Sequence, residues 1–72
     1  MKKKNKIKIK INGKYMLIKQ KTSVQDLIKA LKIPIRKIAI EMNREILDKK
    51  KINKKMLKNN DSIEIVHFIG GG

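Results

Sequence analysis

Three features of this 72-residue chain predict an α+β fold, a mixed sheet of four to five strands with one main helix packed on one face. The first and last apolar runs, KIKIKI (6–11) and SIEIVHF (62–68), alternate apolar and polar residues, as half-buried strands do. Between them, TSVQDLIKALKIP carries one apolar stripe at helical spacing. A mixed sheet with its helix laid across one face buries all of these stripes in a single core. That arrangement is the β-grasp.

Taken in order, Ile7, Ile9 and Ile11 share one face of the first strand, and Lys6, Lys8 and Lys10 the other. Asn12-Gly13 follows, a strong two-residue hairpin signal, because both positions of a type I′ turn need positive φ. A two-residue turn pairs Ile11 with Lys14. It sets Met16 and Ile18 on the face of Ile9 and Ile7, with Tyr15 and Leu17 opposite. Thr22 or Ser23 can cap the helix, and Ser23 with Asp26 fits a capping box. Val24, Leu27, Ile28 and Leu31 form the stripe, and Pro34 bars the helix from running past Lys32 or Ile33.

Residues 38–43 alternate again, with Ile38, Ile40 and Met42 inward and Ala39 and Glu41 outward. Asn43-Arg44 reads as a turn and Glu45-Ile46-Leu47 as a short strand. In 48–60, Ile52, Met56 and Leu57 are expected to anchor one or two helical turns beneath the sheet. Asn59-Asn60-Asp61 is a turn before the last strand, which points Ile63 and Ile65 inward and Glu64, Val66 and Phe68 outward. The expected organisation is a basic lead at 1–5, a β-grasp domain at 6–68 and a flexible functional tail at 69–72.

Composition narrows the function. A chain this short buries only about 60% of the surface its unfolded form exposes, so it holds one modest core. It has no Cys, hence no disulfide, thiolate metal site or thiol nucleophile, and this suits a reducing compartment. One histidine, His67, builds neither a metal site nor a triad alone. As a catalytic base it is disfavoured, because alternation puts it on the inward side, where a structural hydrogen bond suits it better. MKKKNK resembles the front of a signal peptide, but the alternating IKIKI behind it is not the unbroken run of about 7–15 apolar residues that a signal needs. No apolar run approaches the roughly 18–20 residues that cross a bilayer. A cytoplasmic location, with no membrane partner, is expected.

The formal charge of +14 raises nucleic-acid binding. Yet Lys, Ile and Asn make up 38 of the 72 residues, and the lysines are spread from end to end. A bias toward A/T-rich codons produces that pattern with no partner involved. With one Tyr and one Phe, little is offered for stacking on bases. No nucleic-acid partner is expected, and the lysines of 48–58 read as a solvated surface able to steer acidic partners.

The end, IVHFIGGG, is the distinctive stretch. Three glycines form no packed element, since Gly loses the most backbone entropy on ordering and buries no side chain. On residues alone two readings stand. The end frays, as termini do, or the terminal carboxylate is what the domain presents. The second reading gives the glycines a purpose: a tail without Cβ atoms threads a narrow channel and leaves its acyl carbon open to attack. Adenylation then converts a poor electrophile into one that a sulfur or amine nucleophile displaces.

Several motifs bear on that choice. They are the early Asn12-Gly13 turn, Ala39-Ile40-Glu41-Met42-Asn43, Asp61 to Ile65, and the ending Ile65 to Gly72. Over nearly the whole chain they resemble the ThiS family, the ubiquitin-like sulfur carriers of thiamine biosynthesis. Arg44 departs from the pattern, because family members often carry Gly there. The resemblance implies that the chain is a carrier and not an enzyme. Gly72 would be the sulfur-carrying, adenylated C-terminus, Gly70 and Gly71 the channel-threading tail, and Val66, Phe68 and Ile69 the partner-binding residues. The implied partners are an E1-like, ThiF-type adenylyltransferase, a ThiG-type thiazole synthase, and a cysteine desulfurase supplying sulfur. ATP and Mg would serve the activating partner, this chain binding no cofactor or metal of its own and being monomeric when free. The rival readings are the small subunit of molybdopterin synthase, which tends to have prolines before its glycines, a ubiquitin-like modifier, and, in another class, a basic nucleic-acid-binding protein.

Overall fold

Asn12 and Gly13 both take positive φ, 48° and 85°, so the chain reverses within two residues. The turn pairs β1 (Lys6–Ile11) antiparallel with β2 (Lys14–Lys19) in the expected register, Ile11 opposite Lys14, Ile9 opposite Met16 and Ile7 opposite Ile18. The computed structural model describes residues 5–68. The proposed tail residues Ile69, Gly70, Gly71 and Gly72, and most of the basic lead, lie outside them.

Helix α1 (Val24–Ala30) starts at Ser23, whose hydroxyl accepts from the Asp26 amide while Asp26 accepts from the Ser23 amide, completing the capping box. Its end is a Schellman motif: Lys32 turns left-handed at φ 59°, Ile33 N–H reaches Ile28 C=O, and Lys32 N–H reaches Lys29 C=O. The helix therefore closes before Pro34 is reached. A 3₁₀ turn, Ile35–Lys37, which no periodicity announces, leads into β3 (Ile38–Met42). A second tight turn, Asn43 at φ 51° and Arg44 at φ 73°, joins β3 to β4 (Glu45–Ile46), and β5 (Ser62–His67) closes the sheet.

Among the described residues the strands form one mixed sheet in the order β2-β1-β5-β3-β4. The first and last strands lie parallel at its centre, and β3 runs antiparallel to β5. This is the β-grasp with five strands and one main helix. Ile9, Ile38, Ile40 and Ile63 from the inward face meet Val24, Leu27 and Ile28 from the helix in one buried cluster. Each such side chain contributes about 1.5–3 kcal/mol relative to exposure.

Some expectations need correction. The segment 48–60 forms no regular helix. It runs through successive i to i+3 turns at Lys51, Lys54 and Lys55. Ile52 and Leu57 do plug the core, at 3% and 4% exposure, but Met56 is 47% exposed. Three apolar residues among lysines and asparagines give no continuous stripe, so a helix would gain little burial. The third residue of the expected fourth strand, Leu47, lies just outside β4, although its amide still reaches Ile40 C=O. Met16 and His67 take inward positions yet stand exposed. A seven-residue helix spans about 10 Å against about 20 Å for a six-residue strand. Inward positions on the sheet edge or at a strand end therefore escape its cover.

Candidate functional site

The last strand is held centrally, and the clasps that hold it come from polar side chains in the turns. Beyond the Lys10–Ser62 and Ile11–Ile63 pairs, the Asn12 side chain continues the parallel ladder. Its Oδ1 accepts from the Ile65 amide at 2.7 Å and its Nδ2 donates to the Ile65 carbonyl at 3.4 Å. At the start of β5, Asn43 Nδ2 donates to Asp61 Oδ1 at 3.0 Å, and Asn43 Oδ1 accepts from Ser62 N–H at 2.9 Å. The buried Asp61 also accepts from Lys58 N–H at 2.7 Å through its other oxygen. Both carboxylate oxygens are thereby satisfied, as burial demands.

On its other side β5 pairs with β3 from Met42–Ile63 to Ile38–His67, and Phe68 N–H extends the ladder to Lys37 C=O at 2.8 Å. The backbone is therefore fixed as far as Phe68. Alternation turns Glu64, Val66 and Phe68 to the outward face as expected, with Val66 57% and Phe68 50% exposed. Leu17, Tyr15 and Ile46 are exposed too, Leu17 and Tyr15 on β2 and Ile46 on β4. Lys8 and Lys10 set their ammonium groups 5.1 and 5.2 Å from the Tyr15 ring centroid, a cation–π arrangement. Glu41 stands directly opposite Glu64, two like charges that a sheet does not favour.

Lys49 is a neighbour of this strand end that sequence reasoning missed. Its Nζ donates to Ile38 O at 2.7 Å and Ile35 O at 3.1 Å, and lies 5.3 Å from the Phe68 ring centroid. As one lysine in the run 49–51, it carried no signal that set it apart. Asn12 and Asn43 were read as turn formers, and their second role as strand clasps was equally hidden. His67 stands exposed opposite Ile38 rather than in the inward, hydrogen-bonded setting expected of it. No group of three or more His, Cys, Asp or Glu is placed to hold a metal ion among the described residues. Nor is any helix there long and apolar enough to cross a membrane.

The described part of the site is thus a rigid strand with two exposed apolar side chains, leading in sequence straight into Ile69-Gly70-Gly71-Gly72.

Comparison with known proteins agrees with this shape. The profile of the ThiS family matches residues 9–72. The sulfur carrier protein ThiS of Bacillus subtilis (strain 168) is 37% identical over 65 residues, spanning 89% of this chain and 98% of the relative. The thiazole synthase of Magnetococcus marinus is 33% identical over 66 residues, which are 92% of this chain and only 20% of that longer protein. Among solved structures, the crystal structure of the thiamine biosynthesis protein ThiS from Geobacter metallireducens superposes with a TM-score of 0.81 at 28% identity. That match covers 92% of this chain and 100% of the other.

Proposed function

Because this chain belongs to the ThiS family, the sulfur carriers of thiamine biosynthesis, we propose that its working group is the carboxylate of Gly72, with the folded part serving as a handle. An E1-like activating enzyme of the ThiF type joins the carboxylate to AMP from ATP, with Mg serving that enzyme, and releases pyrophosphate. A persulfide, drawn ultimately from cysteine through a desulfurase, attacks the acyl carbon, AMP leaves, and a thiol reductant cleaves the S–S bond of the resulting acyl disulfide. The thiocarboxylate so formed gives its sulfur to thiazole synthase. The chain itself catalyses nothing and carries sulfur on its main chain, so it needs no cysteine. A cytoplasmic location suits that route.

The observation that carries this reading is the junction at Phe68. A strand paired to β3 through His67 turns Val66 and Phe68 outward and runs directly into the glycine sequence. Gly70 and Gly71 supply a stretch that enters a narrow channel without side-chain obstruction. Val66, Phe68 and Ile69 supply the apolar contact that seats the domain at the channel mouth. Thiazole synthase as the acceptor is supported by the Magnetococcus marinus protein of that name, in which a segment like this chain forms part of a longer polypeptide.

The test offers the sulfur-loaded chain to a thiazole-forming and to a molybdopterin-forming enzyme side by side. Consumption of sulfur by the thiazole system alone is the expected result. Delivery to the molybdopterin system alone contradicts it.

A further inference from the structure

Lys49 reaches the end of the last strand through its side chain. After β4 the bond from Leu47 N–H to Ile40 C=O is followed by a turn that brings the Lys49 side chain to Ile38. Ile38 in turn pairs with His67 of β5, and the next backbone bond joins Lys37 to Phe68. Lys49 makes no further ladder bond. Its ammonium instead gathers the carbonyls of Ile35 and Ile38 and sits against the Phe68 ring. The one cation thus ties the 3₁₀ turn, the start of β3 and Phe68, the residue that follows β5. Hydrogen bonds to a charged donor are stronger than neutral ones, and a cation over an aromatic face is attracted by the ring quadrupole.

We propose that Lys49 is a positioning residue for sulfur loading: it holds the Phe68 ring in the placement that the activating enzyme docks against. This rests on the reading that the chain end is activated by such a partner. Phe68 is half exposed, so a ring released from Lys49 has room to sample other rotamers. The partner then has to order the ring on binding, and the cost falls on association rather than chemistry. Such a loss raises KM for the carrier and leaves kcat nearly unchanged.

The test measures thiocarboxylate formation against carrier concentration, with purified activating enzyme, ATP and a sulfur source. Lys49→Met keeps the aliphatic stem and removes the charge. Its KM is expected to rise about five- to tenfold, with kcat within about twofold. Lys49→Arg retains donors and ring stacking and is expected to stay near wild type. If Lys49 acts through Phe68, Lys49→Met has little further effect in a Phe68→Leu background, whereas independent roles multiply. A folded Lys49→Met chain with wild-type KM overturns the proposal, as do multiplying effects in the double variant. In the unsubstituted chain the Lys49 ε-protons are expected upfield of those of the other lysines by the Phe68 ring current. An unshifted signal overturns the proposal without recourse to any Lys49 variant. A wild-type chain that gains no sulfur overturns the functional reading and this proposal with it. Sulfur gain with an unmoved KM overturns this proposal alone.

Discussion

Asn12 grips Ile65 at both of its main-chain polar atoms, the amide at 2.7 Å and the carbonyl at 3.4 Å. A turn residue 53 positions away thereby does the work of another strand residue, holding the last strand just before its exposed segment. Asn12→Gly keeps the positive φ that the turn needs and deletes the clasp. Each hydrogen bond contributes about 1 kcal/mol net, so a loss of about 1–2 kcal/mol is expected by urea unfolding. Hydrogen exchange at the Ile65 amide is the sharper readout, and its protection is expected to fall further than that of Ile40.

Asn43 clasps the other end of the strand, and it does so through a buried acid. Asn43→Ala leaves Asp61 Oδ1 and the Ser62 amide without the partners they now have. Asp61 is buried, and an unsatisfied buried group costs about 1–3 kcal/mol. Alanine at the left-handed φ of 51° adds strain, so this variant is expected to lose more stability than Asn12→Gly. In a domain this small about 1 kcal/mol moves Tm by roughly 4–8 °C, and a melt that shifts by less than that contradicts the network's role.

Arg44 occupies a left-handed position, φ 73°, at the second residue of the β3–β4 turn. A side chain there costs about 1–2 kcal/mol in local sterics, of which Gly returns part by its greater freedom when unfolded. Arg44→Gly is expected to raise stability by about 0.5–1 kcal/mol and to leave sulfur loading alone.

Val66 and Phe68 contribute little to the core, so replacing Val66 with Ser is expected to change unfolding by less than about 0.5 kcal/mol. The same change is expected to weaken binding to the activating enzyme about five- to tenfold, because less apolar surface is buried between the two proteins. Titration calorimetry with that enzyme separates the two effects. Unaltered affinity removes Val66 from the docking surface.

Regular elements were legible because their periods are clean. KIKIKI and its Asn-Gly turn specify the hairpin down to its register, and Ser23, Asp26 and the Val24–Leu31 stripe specify the helix with its cap. Lys32 shows where local reading stops short. Nothing about a lysine announces a left-handed helix end, so Pro34 looked like the terminator when the Schellman turn had already closed the helix. Segment 48–60 shows the same limit from the other side. Ile52 and Leu57 were recognisable as anchors, but the irregular path between them follows tertiary contacts such as Val24 N–H to Lys55 C=O and Leu57 N–H to Thr22 C=O. For the candidate site, the outward pair Val66 and Phe68 followed from alternation. Lys49 and the second roles of Asn12 and Asn43 depend on strand order, which no local pattern contains.

Intact-mass spectrometry before and after incubation with an activating enzyme, ATP and a sulfur source tests the central claim most directly. The account predicts a gain equal to sulfur replacing one oxygen, placed by fragmentation on Gly72 and abolished when 70–72 are removed. A gain that persists on the shortened chain, or one that maps to a side chain, contradicts it.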